Sequence, residues 1–204
     1  MNRRINIIAA VALGLVAAVA CAQAPQEDVS AAQAELDKAK QAQADTWAPN
    51  EFQAADQAMR AAQDEIQAQN AKWMKNYDKA KELLAKAKEE ASKASQAAVA
   101  NKEQAKKDAE AAIAASDTAI QTAEASLKVA PVTKDSKADL ALYKSDIETL
   151  KGTLEQARQA FTSEDYKRAL ESASSVKDKA TSIADKLEEA KKKRSGQAAK
   201  ARKA

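Results

Sequence analysis

From Asn50 to Ala130 the chain runs for 81 residues without a glycine or a proline. Over that span no glycine offers free access to positive φ and no residue lacks an amide donor, so the two strongest helix breakers are missing. In all 204 residues only Gly14, Gly152, Gly196, Pro25, Pro49 and Pro131 occur, which excludes phosphate-cradling glycine loops. Ala, Lys, Glu and Gln, all strong helix formers, fill the chain, whereas strand-forming Val, Ile and Thr are sparse. The predicted class is all-α, an elongated, coiled-coil-like set of antiparallel helical hairpins.

Apolar spacing locates the hairpins. Leu140, Tyr143, Ile147, Leu150, Leu154, Ala157 and Phe161 alternate in steps of three and four, as do Tyr166, Ala169, Ala173, Val176, Ala180, Ile183, Leu187 and Ala190. Each set lies on one stripe of a helix, the seam pattern of helix packing. The five-residue step from Phe161 to Tyr166 breaks the phase, and a turn is predicted there, with Ser163 as a cap and Glu164 and Asp165 suiting the positive end of the next helix. An earlier pair of stripes comprises Phe52, Ala55, Met59, Ala62 and Ile66, then Tyr77, Ala80, Leu84, Ala87, Ala91, Ala94 and Ala98.

Pro49 and Tyr77 of the first unit match Pro131 and Tyr166 of the second, with intervals that differ by one heptad, the signature of an internal repeat. A first helix is expected over 26–45, ending before Trp47-Ala48-Pro49, and the span 77–129 is long enough for one helix of about 80 Å. The organisation read from these marks is 1–20 leader, 21–49 N-terminal segment and first helix, 50–130 first hairpin with a long second helix, 131–193 second hairpin, and 194–204 a basic, disordered tail.

An alanine seam buries one methyl per position, about 0.8 kcal/mol against roughly 1.5–3 for Leu or Ile. A lone hairpin with such a seam is marginal, so a third helix or a second chain as homo-oligomer must cover it. The stretch Ala87–Ala98 should be the weakest part and the second hairpin the most stable.

The chemistry on offer is narrow. The chain has no histidine and a single cysteine, Cys21, which rules out intramolecular disulfides and removes the commonest general base and metal ligand. The carboxylates are scattered along polar helix faces, where pairing with lysine at helical spacing is the ordinary outcome. No enzyme activity, cofactor or metal is expected. Trp47, Trp73, Tyr77 and Tyr166 fall at helix ends or turns, where packing is the expected role.

Charge is nearly balanced, 33 basic against 30 acidic residues, yet seven cations crowd the end: Lys191, Lys192, Lys193, Arg194, Lys200, Arg202 and Lys203. With Arg3 and Arg4 set aside as well, the body carries a net −6. The basic end is read either as a solvated helix terminus or as a grip on an anionic surface such as peptidoglycan. It lacks the interleaved aromatics that stack bases, so nucleic acid is not an expected partner.

The leader points to a place. Arg3 and Arg4 precede an apolar run from Ile7 to Ala20 that is shorter than the roughly 20 residues of a membrane span, and Ala18, Val19 and Ala20 lead into Cys21. This is how an export signal reads. Ordinary cleavage after small residues, before Cys21 or after Ala24, and an uncleaved anchor remain open on these residues. The pattern resembles bacterial lipoprotein precursors, although Ala18 stands where that family usually has Leu. The resemblance implies signal cleavage, diacylglycerol and palmitate on Cys21, and a membrane-held protein facing the periplasm. Ala22, rather than Asp, favours the outer membrane on the same resemblance.

Pro49, Glu51, Phe52, Asn76, Tyr77, Ala80 and Ala87 resemble the hallmark of a family of small alanine-rich bacterial lipoproteins with a domain of unknown function; Val132 and Thr133 depart from it in the second copy. That family carries no assigned activity. The functions expected are an envelope spacer or scaffold, a module binding peptidoglycan or an envelope protein, or a chaperone-like coiled-coil protein.

Overall fold

The computed structural model describes residues 23–133 and 136–201, with side chains through Gly196. Six helices occur among them and no strand: α1 Gln26–Gln41, α2 Ala44–Trp47, α3 Pro49–Asn70, α4 Asp78–Lys128, α5 Lys137–Thr162 and α6 Tyr166–Ala201. The all-α class read from composition is the class observed.

The 51-residue α4 is the spine. At 1.5 Å per residue it is about 76 Å long; it contains no glycine or proline, and a seam buried from Ala80 to Ser126 against the flanking helices keeps it continuous. Its first half packs with α1 and α3, burying Ala32, Leu36, Ala55, Ala58, Met59, Ala62, Leu84, Ala87 and Ala91. Its second half packs with α5 and α6, burying Ile120, Ala123, Ile147, Leu150, Leu154, Val176, Ile183 and Leu187. Each hairpin seam is thereby covered by a third helix from the same chain. α1 fills that role for one half, and the C-terminal half of α4 fills it for the other.

Side-chain ties set the register. Ser116 Oγ donates to the Ala173 carbonyl at 2.6 Å, Lys151 reaches Glu124 at 2.6 Å, and Arg158 pairs with Asp117. α6 therefore runs parallel to α4 and α5 antiparallel to both. Thirty-eight residues of α4 precede Ser116, and 28 residues of α6 follow Ala173. End to end, the helical rod measures about 100 Å.

The two halves meet at a waist beside the middle of α4, where Trp47, Tyr166, Ala39, Ala94, Ala98, Ala109 and Ala169 are buried together. Trp47 and Tyr166 lie with ring centroids 6.4 Å apart, and Phe161 lies 5.3 Å from Tyr166. Fully buried alanines let the backbones approach closely enough for these rings to close the junction. Two turns converge there, each made by a residue in the left-handed region: Gln43 (φ 58°) and Glu164 (φ 61°). Such a conformation costs an L-residue roughly 1–2 kcal/mol. Lys102 of α4 holds both turns, donating to Gln43 Oε1 at 3.2 Å and to Glu164 Oε2 at 2.7 Å.

Three local expectations are corrected. α1 stops at Gln41 rather than near 45, because Gln43 turns left-handed and the chain restarts as the short α2. At the second turn the amides of Glu164 and Asp165 bond back to Phe161 and Ala160, a helix-ending loop that requires its left-handed residue at 164. The cap of α6 thus falls to Asp165, whose Oδ1 accepts from the Arg168 amide at 3.3 Å, and not to Ser163. The tail from 194 was expected to be disordered, yet α6 continues through Gly196 to Ala201. One glycine costs a helix about 1 kcal/mol, which the surrounding Ala, Lys and Gln offset.

Candidate functional site: the basic end of the rod

Leu187 is the last buried residue of α6 among the described side chains, and Ala190, the final position of the predicted seam, is exposed. The reason is length: α6 outruns the end of α4. Lys191, Lys192, Lys193 and Arg194 follow, all exposed. At 100° per residue the four point around the full circumference of the helix, so they ring it rather than form one face. Only Lys191 makes an ion pair among the described residues, with Glu188 at 3.6 Å. Lys191 and Arg194 also flank an open groove with Val129, Pro131 and Ser195. Cations in the last turns oppose the negative end of the helix dipole, which helps this projecting segment to stay helical. Lys200 lies on α6 beyond the described side chains; Arg202 and Lys203 lie outside the described residues, as does Cys21.

The carboxylates are spread along the outer faces. Hydrogen bonds from Gln69 and then Lys79 hold the Glu65 carboxyl below the usual range, Lys93 does the same for Glu89, and Lys102 for Glu164. The Glu89 and Glu164 pairs are exposed and worth little in water, whereas the Glu65 side chain is largely covered, with 16% of it exposed. No group of three or more metal-ligating side chains occurs among the described residues. The grooves between helices are open, and the one between α5 and α6 has Tyr143, Asp146, Lys179 and Lys186 around Leu150 and Ile183.

Three of the four singled-out aromatics are packed. Trp47 and Tyr166 close the waist, and Tyr77 is buried ahead of α4, its hydroxyl donating to Asn70 Oδ1 at 2.5 Å. Trp73 corrects the expectation: it is 99% exposed, with Met74 beside it at 82%. The seam of α3 explains both the expectation and its failure. Continuing the steps from Ile66 leads through Gln69, which is buried, to position 73, so a longer α3 would have placed Trp73 on the seam. The helix ends at Asn70 instead.

Among the described residues no helix is long and apolar enough to cross a membrane. Comparison of the chain with protein-family models, with curated proteins and with solved structures finds no match.

Proposed function

We propose that this chain is a non-enzymatic, lipid-anchored spacer of the bacterial cell envelope, tethered through Cys21 and extending its helices away from the membrane. The observation that carries the reading is the separation along the rod between the start of α1 and the end of α6. Ala39 clusters with Ala94 and Ala98, whereas Val29, Ala32 and Leu36 cluster with Leu83, Leu84, Ala87 and Ala91, so α1 runs parallel to α4 and begins near its start. The ring of cations on α6 lies at the opposite extreme. A tether at one tip and a charged helix at the other, joined by an uninterrupted 51-residue spine, suit a part that holds two surfaces apart.

Acylation of Cys21, read by mass spectrometry of the mature chain, tests the tether. Neutron reflectometry of the acylated protein on a supported bilayer tests the spacing. An upright rod forms a layer approaching 100 Å, whereas a rod lying flat forms one of roughly two helix diameters, about 20–25 Å. The thin layer refutes the spacer.

The exposed cations of α6 favour a second reading on the same architecture, in which the far end grips peptidoglycan or another anionic envelope polymer. Cosedimentation with purified peptidoglycan at low salt, abolished by deleting residues 191–204 and weakened as salt screens the charges, is the expected result. Equal cosedimentation with and without that segment removes this reading.

A further inference from the structure

Among the described residues, the loop between α3 and α4 carries the two most exposed large apolar side chains, Trp73 and Met74. Lys72, Trp73, Met74 and Lys75 form its tip, all exposed. The loop is held at both ends. The Lys72 amide bonds to the Gln69 carbonyl at 3.0 Å; the Asn76 amide donates to Gln69 Oε1 at 3.2 Å; the Tyr77 hydroxyl donates to Asn70; and the Asp78 amide donates to Asn76 Oδ1 at 2.8 Å. Ordering a loop so that a tryptophan and a methionine face water gains nothing by itself, and exposed apolar groups held in place mark contact sites.

We infer that Lys72, Trp73, Met74 and Lys75 form a membrane-contact site that enters the headgroup layer of an anionic bilayer, a second foothold beside the acyl anchor. Position is one ground. With Ala39 level with Ala94 and Ala98, the start of α1 at Gln26 stands near Leu83, about 8 Å from the start of α4. Cys21 precedes Gln26 by five residues, which reach up to about 17 Å, so an acyl group on Cys21 can enter the same lipid surface as the loop. The inference rests on the anchor reading in this respect.

Side-chain chemistry is the other ground. Tryptophan favours the membrane–water interface, its ring among the acyl ends and its N–H among headgroups, and methionine adds apolar area. The two flanking lysines give the tip a charge of +2, and basic residues near an anionic surface are attracted to it. The acidic neighbours do not cancel this. Glu65 is engaged by Lys79 at 3.0 Å and by Gln69 at 2.7 Å, Glu27 and Asp28 belong to the set-back first turn of α1, and Asp78 is the one carboxylate next to the loop in sequence.

The test uses the full mature chain and its Trp73→Phe variant, a substitution at a site with no packing to lose. Both are mixed with phosphatidylcholine vesicles with and without phosphatidylglycerol, and with vesicles of headgroup-proximal brominated lipid. The signal is the difference in emission between the two proteins, since Trp47 is shared and buried at the waist. The expected result is a blue shift and quenching of the Trp73 component, larger on anionic vesicles, and a roughly tenfold loss of vesicle partitioning of an unacylated Cys21→Ser chain when Trp73 and Met74 are both changed to Ala.

Flotation with vesicles reports the anchor separately. A chain that floats while the Trp73 component stays unshifted overturns the inference and leaves the anchor standing. A shift without stable flotation of the wild-type chain supports the loop and refutes the anchor. Loss of both signals refutes both. A blue shift that needs no lipid and grows with protein concentration assigns the loop to a contact between copies of the chain and overturns the inference.

Discussion

Replacing Trp47 by alanine should be costly, and replacing Trp73 should not. Trp47 is 9% exposed, lies against Tyr166, and has the Lys167 ammonium 4.8 Å from its ring centroid. Removing a buried indole leaves a cavity and forfeits its transfer free energy, together about 3–5 kcal/mol. The Trp47 site opens on one side to solvent, and the Asn101 Nδ2 bond at 2.7 Å goes to the Trp47 carbonyl, which alanine retains. Both features point to the lower end, about 3 kcal/mol, with the aromatic and cation–π contacts included in that figure. For a chain of this length each kcal/mol moves the melting temperature by about 2–4 °C, so Trp47→Ala should melt about 6–12 °C below the parent.

Trp73→Ala serves as the control, with a change within about 0.5 kcal/mol. Thermal unfolding followed by far-ultraviolet circular dichroism, with urea midpoints as a check, measures both. Equal losses for the two tryptophans, or a Trp47→Ala loss below about 1 kcal/mol, would refute the assignment of Trp47 to the joint between the halves.

Other substitutions test other parts of the fold. Gly152 sits in mid-α5 with open space around the position a Cβ would occupy, so Gly152→Ala should stabilise by about 1 kcal/mol; an unchanged or lower melting temperature would contradict that account. Ser116→Ala removes the hydroxyl that joins α4 to the Ala173 carbonyl of α6 and should cost about 0.5–1.5 kcal/mol, read from the urea midpoint, with no shift counting against the tie. On pH, the Glu65, Glu89 and Glu164 carboxyls are held below their ordinary 4.5, so their contribution is complete above that value and is lost as pH falls through the lowered values. Lys93 and Lys151 are raised above 10.5 by Glu89 and Glu124, with Glu90 and Glu148 adding to each, so theirs is complete below 10.5 and lost as pH rises through the raised values. With no histidine, melting temperature should be flat between those limits; a stability step centred near pH 6.5, where imidazole titrates, would contradict this.

The period of the apolar positions identifies nearly every buried residue of α5 and α6, because a stripe that must leave water recurs at helical spacing whatever covers it. It fails where a helix ends without glycine or proline. Asn70 closes α3 three residues before the seam would have taken in Trp73, so two tryptophans that look alike in one dimension have opposite surroundings. The basic cluster is legible as composition; its place on a helix that outruns its neighbours is not, because that depends on the register between α4 and α6.

What the amino-acid order determines alone is therefore local and periodic: all-helical structure, a span from 77 to 129 long enough for one helix, and the stripes that have to be buried. That one unbroken helix, Asp78–Lys128, fills this span is settled by the structure. Which stripe meets which, the sharing of one helix by two three-helix packings, the left-handed turns at Gln43 and Glu164 held by Lys102, and the distance between the N-terminal tip and the cations are decided by tertiary contact. Alanine seams are the physical reason. They show that a face is buried, but with one methyl each they scarcely discriminate between partners, so the choice falls to the few large or polar groups, Trp47, Tyr166, Ser116 and Arg158, that fit in one arrangement.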